Sequence, residues 1–455
     1  MVGIVAAFGI VTLSASYWAL AEREALLQRE DNPRRVLAEL NIQRGQIVDR
    51  DGQVLAYSDP ANLPAEGTSR IYPHPQVVSA VGHYSYQYGV AGIEADYNAF
   101  LNGDGLPDAR TEWSDALLNR FRRGGDLRST LDLDLQLRLH QAMQGQRGAA
   151  LVVEIPTGAV RAMVSLPAYD PNQMAILGPL LKDNPENMRV LNCVIDGVYQ
   201  PGGALQTLFL SAFLAAGVSP DSPTSGEAIQ LSQPALRLDC ATSARIETLA
   251  QAYQHGCPGP FVNALDRGLS AEGLESSLQA AGLAENALLL GFEPEADPTP
   301  ATPLLRTSPA SAWQADLAGQ GQLTVTPVQM IQVIAAVLNQ GAGLPLHLVE
   351  ATRYPQEADW HTVTIPPSTL AIMQPAIAQQ IQSLLMSAPW NAQATLFGHL
   401  SRAYAGNREY AWFLGWVMTE DGSPLAIVMV LEGQAGQLDL MQAIAVAQSA
   451  LAVAE

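Results

Sequence analysis

Lysine is almost absent from this chain of 455 residues: Lys182 is the one lysine, and arginine carries the rest of the 24 positive charges. A GC-rich codon bias would account for the shortage, but the chemical consequence holds whatever the cause. No position except Lys182 can supply an ε-amine as a base or as a fixed ammonium. Lys182 itself lies in LLKDNPEN, a Pro/Asn-rich stretch where a solvated surface charge is expected. Clustered positive charge is missing too. With a net charge of −20 and no basic run, the chain is excluded as a nucleic-acid binder, because phosphate binding needs gathered Lys and Arg. Cysteine is sparse. Cys193, Cys240 and Cys257 cannot all pair internally, so this is not a disulfide scaffold. An oxidising location would allow one Cys240–Cys257 bridge; the alternative is unpaired small core residues. The seven histidines form no His-Glu-x-x-His and no close pair, and no Gly-rich phosphate loop is present, so neither a metal nor a cofactor is expected.

Long apolar runs are missing everywhere but the start. There, Val2 to Leu20 reads VGIVAAFGIVTLSASYWAL, long enough for a membrane helix, which needs ~17–25 residues. Tyr17 and Trp18 suit the interface, and charge begins at Glu22. A cleaved signal usually has a shorter apolar region of ~7–15 residues, so an uncleaved anchor is expected over residues 1–21. No basic residue precedes the run, so orientation by positive charge has nothing to act on. The bulk of the chain is expected outside the cytoplasm of a bacterial cell, held by this single pass.

What remains is ample for two folded domains. Residues 22–129 read as a charged stalk followed by a small irregular pedestal of short strands and turns, with Asp51-Gly52 as a hairpin signal. Residues 130–455 read as a larger α+β domain. A helix is expected from about Leu131, with Thr130 as its cap. GAALVVEIPTGAVRAMVSL is a buried hairpin, and ALQTLFLSAFLAAG (204–217) is an apolar helix too short to span a membrane. Residues 218–245 and 290–312 are rich in Pro, Ser, Thr and Asp and read as surface loops. Residues 244–286 have helical periodicity, and another apolar helix covers 324–340. AWFLGWV and PLAIVMVL read as strands, and the chain closes on a helix. The sum is helices around an antiparallel central sheet.

These pieces in this order resemble a class B penicillin-binding protein of the compact penicillin-binding protein A type. The resemblance runs through RGQIVDRDGQVLA (44–56), RIYPHP (70–75), GIEADYNAFLNG (92–103), TLDLDLQ (130–136), PTGAVRAMVSLPAYDPN (156–172), GQGQLTVTPVQM (319–330) and AWFLGW (411–416). It implies a penicillin-binding-protein/β-lactamase-like transpeptidase domain on a pedestal, with one transmembrane helix at the N terminus. Such enzymes acylate a serine with the D-Ala-D-Ala end of a peptidoglycan stem peptide and pass the acyl group to an amine. Ser-x-x-Lys supplies nucleophile and base, Ser-x-Asn relays protons, and Lys-Thr-Gly holds the substrate carboxylate beside the oxyanion site.

At the position of the first motif this chain has YQPGGALQ, with Gly203 for the nucleophile and Gln206 for the lysine. Glycine has nothing to acylate, and a carboxamide is no base near neutral pH. The second motif falls in AYQHGCPGPF, with Gly256 and Pro258 in place of Ser and Asn. The third falls in FGHLSRAYAG, with His399, Leu400 and Ser401 over Lys-Thr-Gly. Substitutes are few. Cys257 stands two residues after His255, as nucleophile–base pairs can, and His399 or Arg402 would keep a cationic patch for a carboxylate unless both are solvated surface groups.

The expectation is therefore a protein that is not an enzyme. It would work as a scaffold in wall synthesis or cell division, contacting the membrane and a polytopic glycan polymerase or other division or elongation proteins. Two alternatives remain. One is an active D,D-transpeptidase using other residues; the other is a non-covalent sensor of peptidoglycan stem peptide.

Overall fold

The computed structural model describes residues 42–59, 70–85, 88–104, 122–182, 192–232, 235–264, 269–283, 289–290, 313–368, 370–393, 395–419 and 422–451, with Gly3, Gly9, Thr12, Ser14 and Tyr17 near the start. The expected anchor and stalk lie almost wholly outside the described residues. Among those described, no helix is long and apolar enough to cross a membrane.

The pedestal is built on β1 (Ile47–Val48), β2 (Val54–Ser58), β3 (Arg70–Ile71) and β4 (Asp126–Ser129). The Asp51-Gly52 turn joins β1 and β2 as an antiparallel pair, with Gly52 at a φ of 89° that suits glycine. Asp49 shapes it: one carboxylate oxygen accepts the N–H groups of Asp51 (2.9 Å) and Gln53 (2.7 Å). Behind this hairpin lies a buried charge cluster. Glu94 Oε2 accepts from Arg44 at 2.7 Å, and Glu94 Oε1 accepts from Arg70 at 2.5 Å and from the Tyr72 hydroxyl at 3.2 Å. Arg44 also donates to Asn98 (2.7 Å) and Asn102 (2.6 Å) and lies 4.0 Å above the Tyr84 ring. Burial alone would raise the Glu94 carboxyl, but Arg70 and Arg44 outweigh it and hold Glu94 below the usual carboxylate range. Arg44, Arg70 and Glu94, from the RGQIVDRDG, RIYP and GIEADYN stretches, thus form one ion-paired clamp.

The larger domain begins with α1 (Leu133–Ala142). Thr130 is not its cap. Asp132 is, accepting from Leu135 N–H at 2.9 Å. Thr130 is buried two residues earlier and donates its hydroxyl to the Val160 carbonyl at 2.7 Å. The predicted hairpin follows as β5 (Arg147–Glu154) and β6 (Val160–Leu166). Next come the helices α2 (Gln206–Ala215), α3 (Leu249–Gln254) and α4 (Pro327–Leu338). The TVTPVQM stretch explains the start of α4: Thr326 and Gln329 cap each other's backbone N–H groups and Pro327 opens the first turn. Then follow β7 (Val349–Arg353), β8 (His361–Thr362), α5 (Pro375–Met386), β9 (Leu396–Ala405), β10 (Arg408–Met418), β11 (Pro424–Gln434) and α6 (Met441–Leu451).

Two sheets organise these strands. A five-stranded sheet runs β6-β5-β11-β10-β9, antiparallel throughout. A six-stranded sheet runs β8-β7-β4-β1-β2-β3, so two strands from beyond residue 348 complete the pedestal sheet. Alternation fixes the faces of the five-stranded sheet. On β10, Trp412, Leu414 and Trp416 join the core shared with α2 and α4. Ala411, Phe413 and Val417 join the core under α1 and α6. The 218–245 stretch is not all loop. Ile229–Ser232 and Ala235–Leu238 pair as a hairpin, because Leu231 and Leu238 bury against Val262, Ala315 and Ala318. Of 290–312, residues 291–312 lie outside the described residues.

Candidate functional site

The positions singled out from the sequence meet where β9 crosses the start of α2. A turn of 3-10 helix, Gly202–Leu205, leads into α2, whose residues from Gln206 to Phe213 are all buried. An apolar helix that is buried all round needs packing on every side, and here α3, α4 and α5 supply it, while β9 lies against the 3-10 turn that leads in. His399 and Ser401 lie two apart on β9, on the same face as Phe397 and Ala403, and so point toward the helix start. Leu400, between them, points into the core under α6.

His399 is fully buried. Its Nε2–H donates to the Gly203 carbonyl at 3.0 Å, and its ring stacks on Tyr253 with centroids 4.5 Å apart. The donation leaves Nδ1 as the lone-pair nitrogen, and Nδ1 has no partner. Burial lowers the imidazole pKa from 6.5 to about 4, so the ring is neutral at pH 7. Tyr253 is held by a 2.9 Å hydrogen bond between its hydroxyl and Thr207. Gln206 is also buried; Nε2 donates to the Cys257 carbonyl at 3.4 Å, while Oε1 has no partner. Ser401 Oγ is buried and unpartnered as well. One crossing therefore gathers an imidazole, a carboxamide and a hydroxyl.

Packing here is backbone-tight. A Cβ placed on Gly203 would lie 2.8 Å from Ser401 Cβ and 3.1 Å from Gln206 Nε2. The Ser401 side chain therefore occupies the space into which residue 203 would project. Gly256 also approaches β9: a Cβ there would lie 2.4 Å from the Leu400 carbonyl oxygen, and its φ is 61°. Pro258 is buried at the head of the short helix Gly259–Val262. Cys240 and Cys257 are joined by a disulfide with an S–S distance of 2.05 Å, which fastens this loop and leaves Cys257 no thiolate to act as a nucleophile beside His255. Cys193 is buried in the core and takes no part in this disulfide. Among the described residues, no group of His, Cys, Asp and Glu could hold a metal.

Neither His399 nor Arg402 is a solvated surface charge. His399 is neutral and enclosed, and the Arg402 guanidinium lies 2.8 Å from the buried Glu409 carboxylate. Tyr253, Thr207 and Glu409 were missed in the sequence, as was the pairing of positions 203 and 401. Gly202-Gly203 and Gly319-Gln320-Gly321 were the available signal: they mark where backbones touch, and Gly202 N–H donates to the Gly319 carbonyl at 2.9 Å.

A family model described as the penicillin binding protein transpeptidase domain matches residues 148–452, and one described as the penicillin binding protein A dimerisation domain matches 44–127. The peptidoglycan D,D-transpeptidase PbpA of Mycolicibacterium smegmatis is 29% identical over 445 residues, covering 88% of this chain and 86% of that protein. Its counterpart of the same name in Mycobacterium tuberculosis is 26% identical, covering 96% and 93%. Among solved structures, the imipenem acyl-enzyme complex of penicillin-binding protein A from M. tuberculosis superposes with a TM-score of 0.74 at 24% identity, covering 91% of this chain and all of that one. A D,D-transpeptidase domain from Eggerthella lenta gives 0.73 at 22%, covering 90% and 99%.

The expectation that the chain is not an enzyme is overturned by these relatives, which are named as D,D-transpeptidases over most of its length. That expectation equated three motif positions with all the chemistry the site could hold. The fold assembles the site from distant stretches, and it sets a different hydroxyl and imidazole, Ser401 and His399, at the same crossing.

Proposed function

Because the chain belongs to the penicillin-binding protein family of peptidoglycan synthesis, we propose that it serves wall synthesis at the outer face of a bacterial membrane, as a partner of a polytopic glycan polymerase. The anchor and pedestal make that contact. The observation that carries this reading is the pedestal: its Arg44–Glu94–Arg70 clamp ties three of its stretches together and its sheet is extended by β7 and β8 from the larger domain. A rigid platform of this kind suits a standing protein contact. Co-purification from solubilised membranes tests it. A polytopic glycan polymerase should travel with the full chain and be lost when residues 1–40 are exchanged for an unrelated anchor; retention after that exchange would sink the reading.

A second reading is acyl transfer on stem peptides, favoured by the relatives' names and by Ser401. Residue 203 offers no hydroxyl, whereas Ser401 brings one to within side-chain contact of it. Ser401 is fully buried, so its acylation requires the helix start to part from β9. Incubation with a fluorescent β-lactam, denaturing electrophoresis and peptide mapping decide this. A boiling-resistant adduct on Ser401 supports it. A band that persists in Ser401→Ala places the chemistry elsewhere.

A further inference from the structure

Beside the crossing, at the other end of the same loop, is a cavity of about 250 Å³ that neither reading uses. Leu385 and Gly398 form its buried floor, Trp390 stands as a wall, and Ser243, His255 and Met441 line its rim. The cavity is preformed. Trp390 Nε1–H donates to the Gly398 carbonyl at 2.8 Å, which pins the indole. His255 Nδ1 and Thr242 Oγ1 are 2.7 Å apart, which fixes the imidazole, and Gln254 is tied to the Leu384 carbonyl at 2.7 Å. The Cys240–Cys257 disulfide fastens the loop carrying Thr242, Ser243 and His255. A site whose side chains are already held loses little entropy when it is filled.

The lining has no carboxylate, no guanidinium and no ammonium. His255 is its one titratable group, and partial burial pushes its pKa down, which keeps it neutral. A charged ligand would have nothing to pair with here, and stripping its water would go uncompensated. What fits is a neutral molecule with one apolar face for the indole and a hydrogen-bonding edge for the hydroxyl and imidazole. The volume lies below the ~300–1,000 Å³ of sites that enclose drug-sized ligands, so it suits a single ring. Peptidoglycan separates these properties: its stem peptides are charged, whereas its glycan carries neutral N-acetylated amino sugars.

We propose that the cavity walled by Trp390 and rimmed by Ser243 and His255 binds one neutral N-acetylhexosamine ring, giving the protein a glycan contact apart from the β9–α2 crossing. The proposal rests on the family's work on peptidoglycan and is independent of the polymerase partnership. Ligand-observed NMR on the purified chain tests it, with N-acetylglucosamine and N,N′-diacetylchitobiose as probes. Saturable binding is expected with Kd on the order of 1–10 mM, typical of a single small contact. Glucosamine, with its protonated amine, and D-Ala-D-Ala should not displace the probe. Ser243→Trp fills the cavity from its exposed rim without touching a buried hydrogen bond, and it should weaken binding at least tenfold. Trp390→Ala should do the same, with circular dichroism confirming that it folds. The absence of saturable binding, displacement by D-Ala-D-Ala, or unchanged affinity in Ser243→Trp would each overturn the proposal. Loss of the polymerase in co-purification would leave it untouched, so the two failures are distinguishable.

Discussion

The pedestal clamp and the β9–α2 crossing both bury polar side chains completely, yet they satisfy them in opposite ways. In the clamp, one carboxylate is shared by two guanidiniums and a phenol, so burial is offset by charge pairing, with Arg70 Nη2 left without a partner. At the crossing, the groups are neutral and three atoms, Gln206 Oε1, His399 Nδ1 and Ser401 Oγ, have no partner. Buried polar atoms without partners are costly, and native proteins hold few of them. The clamp is therefore fixed by electrostatics, whereas the crossing is held by shape: β9 lies on glycine backbone, and Ser401 takes the room that residue 203 leaves. A substitution should cost most at the clamp when it removes a charge, and most at the crossing when it adds an atom.

The largest expected effect is at the clamp. Glu94→Gln leaves Arg44 and Arg70 buried without a counter-charge and should destabilise the protein by about 3–5 kcal/mol, measured by urea unfolding. The pH dependence has a definite sign. The folded Glu94 pKa is depressed below 4.5, so its contribution is present above that value and is lost as pH falls through the lower folded pKa. The Gln variant should lack that acid-limb term. If it unfolds like the parent, the clamp is not what holds the pedestal.

The next effect belongs to His399. Its folded pKa of about 4 lies below the ordinary 6.5, so the unfolded chain binds the extra proton between those values. Stability should be complete above pH 6.5 and decline as pH falls toward 4, by at most about 3 kcal/mol. His399→Phe keeps a ring against Tyr253 and removes the titration. The slope of stability against pH between 6.5 and 4 should fall by one proton, and an unchanged slope would show that another group carries it.

The smallest effect separates volume from chemistry at the crossing. Gly203→Ser drives a Cβ against Ser401 and should cost about 1–3 kcal/mol, the usual range for overpacking. Ser401→Gly should recover most of that loss in a double-mutant cycle, whereas Ser401→Ala, which keeps the Cβ, should not. Additive effects, or equal rescue by Ala and Gly, would break the comparison between the two regions. The same clash means that a nucleophile installed at 203 needs residue 401 cleared first.

Much of the architecture was legible because it is local. The 149–166 hairpin, the strands around Trp412 and Val428, and the capped α4 each carry their periodicity or capping residues within a few positions. The hairpin at 229–238 was hidden because its short apolar alternation sits among Pro, Ser and Thr and is decided by burial against Val262 and Ala318. The α1 cap was misplaced by two residues because Thr130 has a long-range partner, Val160. At the site, the motif stretches were readable but their surroundings were not. Whether His399 faces solvent depends on which face of β9 it occupies, and its bond to the Gly203 carbonyl spans 196 residues of sequence.

The shared six-stranded sheet has a consequence for how the molecule is made. β4 pairs with β1 on one side and β7 on the other, so the pedestal sheet stays unfinished until residues 349–353 have been synthesised. A nascent chain holding only the first 130 or so residues presents the rim of β4 as a row of unpaired peptide groups, ready to pair with any other strand. The pedestal should therefore be a poor candidate for excision, and a fragment ending near residue 129 should self-associate. The pedestal sheet is thus finished only by strands that the larger domain lends it.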